Sequence, residues 1–404
     1  MLKLFNAGPD ASTKPRSDLY VIYTNSNIPL TIDIESSVKV LFEKAILKQV
    51  QSICDFFKVA TGELKIKDFG AVPFVIAARV EAALKKAYPQ ISAEFLLPLK
   101  VYASYSSQRD RFRRSRLYIP GNQPKLMLNA GIHHPDGIIL DLEDAVAPPD
   151  KHDTRFVVRN ALRAIDFFGA ERMVRINQGE MGLTDLEYVV PNNVHLLLLP
   201  KIESAEEVLV VDQRITEISK NCGRKDPVFL MPIIESGRGV LKALEIAEAS
   251  ANVVALAIGL EDYTADLGVQ RTDQGNESFF ARSMLVNAAR AAGVQAIDTV
   301  FSDVENEIGL RRSVQEAKAL GFNGKGCIHP RQIKPVNDEF APSAEEIEKA
   351  KQIVLAFDKA EKQGLGVVAL GTKMIDPPVV KRAQRVIDLA LANKLLAKNW
   401  KTIK

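Results

Sequence analysis

The sequence predicts an α/β protein whose main part is a closed (β/α)8 barrel, a TIM-barrel fold, and three observations carry that prediction. From Ser115 onward, short aliphatic runs recur, each followed by a longer stretch with apolar residues at helical spacing. Such alternation implies a parallel sheet. Eight runs precede the segment after Pro330, and eight βα units of this total length fit a closed barrel better than an open sheet. Several of the runs, GIILDLED, HLLLLPKIE and VVALAIGLED, also finish in charged residues, as expected where strand ends meet at a functional mouth.

Residues 1–95 come first and read as a separate small α+β module. DLYVIYT (18–24) is rich in β-branched and aromatic residues and reads as a strand. SSVKVLFEKAILKQVQSICDFFK (36–58) has helical spacing, with Ser36 or Ser37 placed to cap it. ELKIKDFG (63–70) alternates and stops at Gly70, and VIAARVEAALKKAY (75–88) is a second amphipathic helix. A linker, 96–114, carries Pro98 and leads into the basic run SSQRDRFRRSR (106–116). The cluster from Arg111 to Arg116 reads as a solvated connector or, less often, a holder for a phosphorylated ligand.

The barrel is expected over 115–340. Its runs are RLYIP (116–120), GIILDLED (137–144), RMVRIN (172–177), HLLLLPKIE (195–203), VFLMPIIES (228–236), VVALAIGLED (253–262), VQAIDTVF (294–301) and GKGCIHP (324–330). A tail, 341–404, adds two helices joined by LGVVALGTKMIDPP (365–378). Closure needs no such tail, so a lid or subunit-docking arm is its natural use.

The chain has 404 residues, of which 47% are apolar and 25% charged, and a net charge of +3. That leaves no global field for gathering nucleic acid. No apolar run approaches the roughly 20 residues that cross a bilayer, and the opening MLKLFNAGPDASTKPRSD lacks the apolar core of a secretory signal. Cys54, Cys222 and Cys327 are scattered and odd in number, which argues for a reducing cytoplasm rather than disulfides or a zinc knuckle.

The strand ends hold Glu143 and Asp144, Arg175 and Asn177, Lys201 and Glu203, Glu235, Glu261 and Asp262, Asp303 and His329. A lone strand-end acid is ordinarily a helix cap. Glu235 and Glu261–Asp262 on consecutive strands, with Arg175 on the same rim, favour a cation site instead. Acids facing one another raise each other's pKa. Carboxylates without cysteine or clustered histidine select Mg²⁺, with Mn²⁺ an alternative. Arg175 can equally pair with Asp144 or Glu203, His329 can simply close a loop, and ESGRGV (235–240) is too short for a phosphate loop.

Seven ordered segments, RRSRLYIPGN, IILDLEDAVAPPDK, VRIN, LPKIES, IIESGRGV, IGLEDYTADLG and GKGCIHPRQI, resemble the citrate lyase β-subunit and malyl-CoA lyase family within the HpcH/HpaI aldolase group. The tail segment KMIDPPVVKRAQ resembles the same family. IDIESSVKVLFEKAILKQV and FGAVPFVIAARVEAAL resemble the citrate lyase acyl-carrier (γ) subunit, so the chain looks like a fusion of carrier and lyase modules. The resemblance implies retro-aldol cleavage of a 3-hydroxyacyl-CoA thioester to acetyl-CoA and a 2-oxo acid. It implies Glu235 and Asp262 as Mg²⁺ ligands and Arg175 as the group contacting the oxo acid and enolate oxygen. Asp376 becomes the acid/base, donated to a neighbouring subunit, while Tyr118, Ile119, Ile328 and His329 line the CoA and substrate channel. Glu261 matches a less constant position, behind the ligands. Lys201, in LPKIES, fits an ion pair better than a Schiff base. A homo-oligomer, trimer or hexamer, and a citrate lyase-type transferase subunit are the implied partners. In TKPRSD (13–18), Arg16 stands where carriers of this kind modify a serine and Ser17 follows one place later, which implies a module without the prosthetic arm. Two further readings stay open: malate synthase or thioesterase chemistry at the same site, and a non-catalytic assembly subunit.

Overall fold

In this computed structural model, residues 3–13, 15–272, 274–361, 368–370 and 373–401 are described. They form two compact units, 1–333 and 334–404. Within the first, β1 (Lys3–Ala7), β2 (Leu19–Pro29), β3 (Thr31–Ser36) and β4 (Thr61–Asp68) make a sheet in the order β1-β2-β4-β3. β2 buries Leu19, Val21 and Tyr23 in alternation, with Leu64 and Ile66 of β4 beside them, the period of a sheet with one covered face. Helices 39–56 and 73–87 provide the cover. The first has no side-chain cap: Ser36 instead donates to Asp68 at 2.6 Å and accepts from the Val38 N–H, closing the turn before the helix. Asp18, the last residue of TKPRSD, is buried and takes two bonds from Arg79, at 3.0 and 2.8 Å.

The barrel strands are β5 (Ser115–Pro120), β6 (Gly137–Asp141), β7 (Glu171–Arg175), β8 (Leu196–Leu199), β9 (Phe229–Ile234), β10 (Ala255–Ile258), β11 (Gln295–Asp298) and β12 (Gly324–Cys327). They close in sequence order, every neighbour parallel. Ile139, Met173, Leu198, Met231, Ile233 and Ile297 fill the interior. β6, β9 and β10 stop before the acids that the sequence places at their ends. Glu143, Asp144, Glu235, Glu261 and Asp262 therefore lie in the loops and helix starts beyond the sheet.

The basic run is not solvated. Arg113 makes a two-point pair with Glu171 (2.7 and 2.8 Å), Arg114 pairs with Asp136, and Arg111 donates to the Asp136 and Gly169 carbonyls. Arg109 reaches the Ala251 and Val253 carbonyls. All these partners stand at or before strand starts, so the linker seals the barrel's N-terminal end. Neither alternative holds for Arg111, Arg113 and Arg114, whose guanidiniums meet acids and carbonyls; Arg116, the last of the cluster, meets neither.

Helix 73–87 is buried along almost its whole length. Its other side packs on helix 151–164, which follows β6. Across that contact Arg159 pairs with Glu81 (2.5 Å, both side chains fully buried) and with Glu94 (3.0 Å), and Lys86 pairs with Asp153 (2.8 Å). In the 334–404 unit, helices 344–361 and 377–392 pack together through Val354, Ile387 and Trp400. The joining segment contributes a short hairpin, β13 (Val368–Leu370) and β14 (Lys373–Ile375). The expected lid lies partly outside the described residues, at 362–367 and 371–372. Among the described residues no helix is long and apolar enough to cross a membrane.

Candidate active site

Asp141 and Arg175 are the last residues of adjacent strands and directly paired in register. Arg175 Nε and Nη2 donate to the two Asp141 carboxylate oxygens at 2.8 and 2.6 Å. Asp141 also accepts from the N–H groups of Glu143 and Ala145, which fixes the loop after β6. The third Arg175 nitrogen, Nη1, lies 2.8 Å from Glu143 Oε2 and 3.7 Å from Asp144. Of the two partners expected for this arginine, Asp144 is at the margin and Glu203 instead accepts from Ser236. The principal partner is Asp141, a residue the sequence reading did not single out. Burial opposes the Arg175 charge, but the bonds to Asp141 outweigh it and hold its pKa above the ordinary value. The guanidinium sits 5.5 Å over the Tyr118 ring.

Glu235 follows β9 directly and is 7% exposed. Its Oε2 accepts from the Lys201 N–H at 2.9 Å, and Lys201 adopts a left-handed φ of +52° to present that N–H. Gly259 lies against the same carboxylate: a Cβ there would stand 2.3 Å from Glu235 Oε1. Burial, with Asp262 and Glu143 adding like charge, pushes the Glu235 carboxyl up to about 8. Glu143, also raised chiefly by burial, has an Oε2 that meets hydrogen-bond geometry with no partner despite its nearness to Arg175.

Glu261 and Asp262 stand in the first turn of helix 260–266, not on the strand. The chain's rotation there separates them: Glu261 pairs with Arg271, away from Lys201, while Asp262 lies 3.4 Å from Lys201 Nζ. The same ammonium is 3.7 Å from Glu143 and 3.9 Å from Asp144. Lys201 is thus an ion-pair residue, its pKa raised by these acids against the cost of burial.

A cavity of 360 Å³ opens here, lined by Tyr118, Arg175, Glu235, Asp262, Ile328 and, deeper, Arg116. Two of the expected lining residues are not there. Ile119 is buried, 3% exposed, on the outward face of β5, because successive side chains alternate along a strand. His329 is partly exposed and accepts from the Arg331 N–H, capping the turn 330–332. Asp376, in the second unit, caps helix 377–392 by accepting from the Val379 N–H at 3.1 Å.

The donor set fits a hard dication. Glu235 is held ready by one backbone bond, and its carboxyl is raised first by burial and then by the neighbouring Asp262 and Glu143, charges that a cation offsets. Glu235 and Asp262 offer two carboxylates at one cavity, and Mg²⁺ takes one or two carboxylates and leaves positions for water and substrate; among the described residues no group of three or more acid, histidine or cysteine side chains could hold a metal ion.

An eight-stranded barrel with an arginine–carboxylate rim over a cavity defines the class: a (β/α)8 protein with its working site at the C-terminal mouth. The family model for HpcH/HpaI aldolase/citrate lyase matches residues 114–330, and the chain belongs to that family. Residues 12–87 match the model for the malonate decarboxylase delta subunit (MdcD), an acyl-carrier-type family. The citrate lyase subunit beta of Haemophilus influenzae is 44% identical over 69% of this chain and 97% of its own length. The mitochondrial citramalyl-CoA lyase of Homo sapiens is 33% identical over 78% and 95%. A crystal structure of the CitE protein of Mycobacterium tuberculosis with magnesium, acetoacetate and coenzyme A superposes with a TM-score of 0.59, at 30% identity over 70% of this chain and 99% of that one.

Proposed function

We propose that the chain is a magnesium-dependent carbon–carbon lyase that cleaves a 3-hydroxyacyl-CoA thioester, of the citryl-, malyl- or citramalyl-CoA type, to acetyl-CoA and a 2-oxo acid. The observation that carries the reading is the conjunction, at one cavity, of Glu235 and Asp262 with an Arg175 locked by Asp141. Glu235 and Asp262 would hold Mg²⁺, which supplies Lewis-acid polarisation of the hydroxyl and carboxylate oxygens when bound. Arg175 donates to the thioester oxygen as it gains enolate charge. A preorganised donor in such a role contributes about 3–4 kcal/mol to the transition state. Asp141 denies Arg175 other rotamers, so its charge needs no reorganisation. Tyr118 and Ile328 wall the cavity and exclude water from the carbanion.

Asp376 moves the proton to the acetyl carbon, a role carried over from the KMIDPPVVKRAQ segment, in a homo-oligomer whose subunits exchange this residue. His329 and Ile119 act through the loop and strand they stabilise. The N-terminal module docks rather than carries an arm, and offers a surface to a citrate lyase-type transferase subunit. Free Cys54, Cys222 and Cys327 favour the cytoplasm.

The test is a panel of the three thioesters, each with and without Mg²⁺, followed by acetyl-CoA and free CoA. The reading requires metal-dependent acetyl-CoA from at least one and its loss in Asp262→Ala. Free CoA in stoichiometric amount would favour the hydrolytic alternative, and no product from any thioester would reject the lyase.

A further inference from the structure

Five of the largest fully buried side chains are arginines: Arg79, Arg113, Arg116, Arg159 and Arg172. Four have oxygen acceptors. Arg79 binds Asp18, Arg113 binds Glu171, Arg159 binds Glu81, and Arg172 donates to the Leu162 and Ile165 carbonyls at 2.7 and 2.8 Å. Arg116 is the exception. Among the described residues its one bond runs from Nη1 to the Met231 sulfur at 3.2 Å, and its Nε is buried without a partner. Two acids that line the same cavity are already committed: Asp298 to Arg282 (3.0 Å) and Lys325 (2.8 Å), Asp141 to Arg175. An arginine does not escape the conflict by losing its proton, and a buried charge without a counter-ion costs several kcal/mol.

Arg116 is not walled off. It lines the floor of the cavity whose mouth carries Glu235 and Asp262. It lies two residues before Tyr118 on the same face of β5, about 7 Å further down the barrel. Its register partners on both flanking strands are glycines, Gly137 and Gly326, and the space their side chains would take is held by Met173 and Val300, so no polar group of the flanking strands stands beside it. Burial pulls its pKa below the usual value, in keeping with a missing negative partner.

We propose that Arg116 is the anchor for a second carboxylate of the substrate, so that the acyl group taken by this enzyme is one whose 2-oxo acid product is a dicarboxylate. The inference rests on the lyase reading above. The bulky thioester must stay at the open mouth, which directs the end of the acyl group remote from sulfur inward, toward this cation. A carboxylate there would satisfy the orphan Nε and a terminal nitrogen together, the two-point geometry that guanidinium favours. A product with a methyl or hydrogen at that end leaves the charge unpaired. Arg116 is therefore a specificity residue, not part of the bond-breaking machinery.

Binding of the oxo acids, measured without turnover, tests the idea. The full chain, saturated with Mg²⁺, is titrated calorimetrically with oxaloacetate and with pyruvate, as wild type, Arg116→Met and Arg116→Lys. The expected result is at least tenfold tighter binding of oxaloacetate by the wild type. Arg116→Met should weaken oxaloacetate by about 10- to 100-fold, the range for a lost bond to a charged group, and leave pyruvate within twofold. Arg116→Lys, which keeps the charge but not the fork, should fall between. Equal loss of both acids would mean a packing role and overturn the proposal, as would no change in either. If Arg116→Met does not fold, selective weakening of oxaloacetate in Arg116→Lys supports the anchor, and unchanged affinities in that variant reject it. A wild type that binds neither acid with Mg²⁺ would reject the lyase reading as well. One that binds both without preference rejects the anchor alone.

Discussion

Asp141→Asn isolates the contribution of the arginine lock. The wild-type carboxylate receives Arg175 through bonds of 2.8 and 2.6 Å, on a side chain 1% exposed. Asparagine keeps the outline, but one of its terminal atoms becomes an NH₂ that faces an arginine N–H. One charge-assisted bond is replaced by a donor–donor contact, while Glu143 and Asp144 continue to counter the arginine charge. A hydrogen bond to a charged group contributes about 1.5–3 kcal/mol. If that loss falls on the transition state, kcat drops by about 10- to 150-fold. KM should move far less, because the arginine is still present and still charged. The assay is steady-state acetyl-CoA release at saturating Mg²⁺, with Asp144→Asn as control: Asp144 is 54% exposed in its side chain and 3.7 Å from Arg175, so its loss should cost less than threefold. A folded Asp141→Asn enzyme with kcat within threefold of wild type would refute the lock, and so would an equal loss in Asp144→Asn.

Three further outcomes follow from the same geometry. Gly259→Ala should fold, since the φ of −109° suits any residue, yet its methyl would meet Glu235 Oε1 at 2.3 Å; calorimetry should show Mg²⁺ affinity reduced at least tenfold with little change in melting temperature. Glu235 keeps its proton in the metal-free fold up to pH about 8, against 4.5 for an ordinary glutamate, so the fold loses stability as pH rises through that window. Metal must displace the proton, so Mg²⁺ affinity should climb up to tenfold per pH unit and level off above 8, with proton release seen as a buffer-dependent binding enthalpy. Glu81→Gln removes one member of a fully buried pair with Arg159 and should cost about 3–5 kcal/mol of unfolding free energy in urea.

The barrel is legible because each strand is a short apolar run and each helix a longer periodic one, so the two periods separate cleanly. The rim is legible only in part. Glu235 and the Glu261–Asp262 pair stand out because they follow apolar runs directly, but Asp141 is hidden inside one, as the third residue of ILDLED. Its role rests on register: Asp141 and Arg175 meet because both end consecutive strands, a fact that boundary placement to within one residue would have exposed. Arg116 is masked by its basic neighbours. In RDRFRRSR it looks like one more solvated cation, and only the alternation through SRLYIP turns it inward. β1 and β3 escape notice for a different reason: as edge strands they bury little, and β3 covers only Ile34 fully, so neither prints a clear alternating pattern.

Helix 73–87 belongs to two cores at once. Its inner side completes the N-terminal sheet and its outer side seats on helix 151–164, with Arg159 and Glu81 sealed between them. A module wedded to its neighbour in this way has no hinge to swing on. It works as a fixed buttress, and cutting the chain at the linker would strip both halves of a shared wall, leaving each to melt at a lower temperature than the whole.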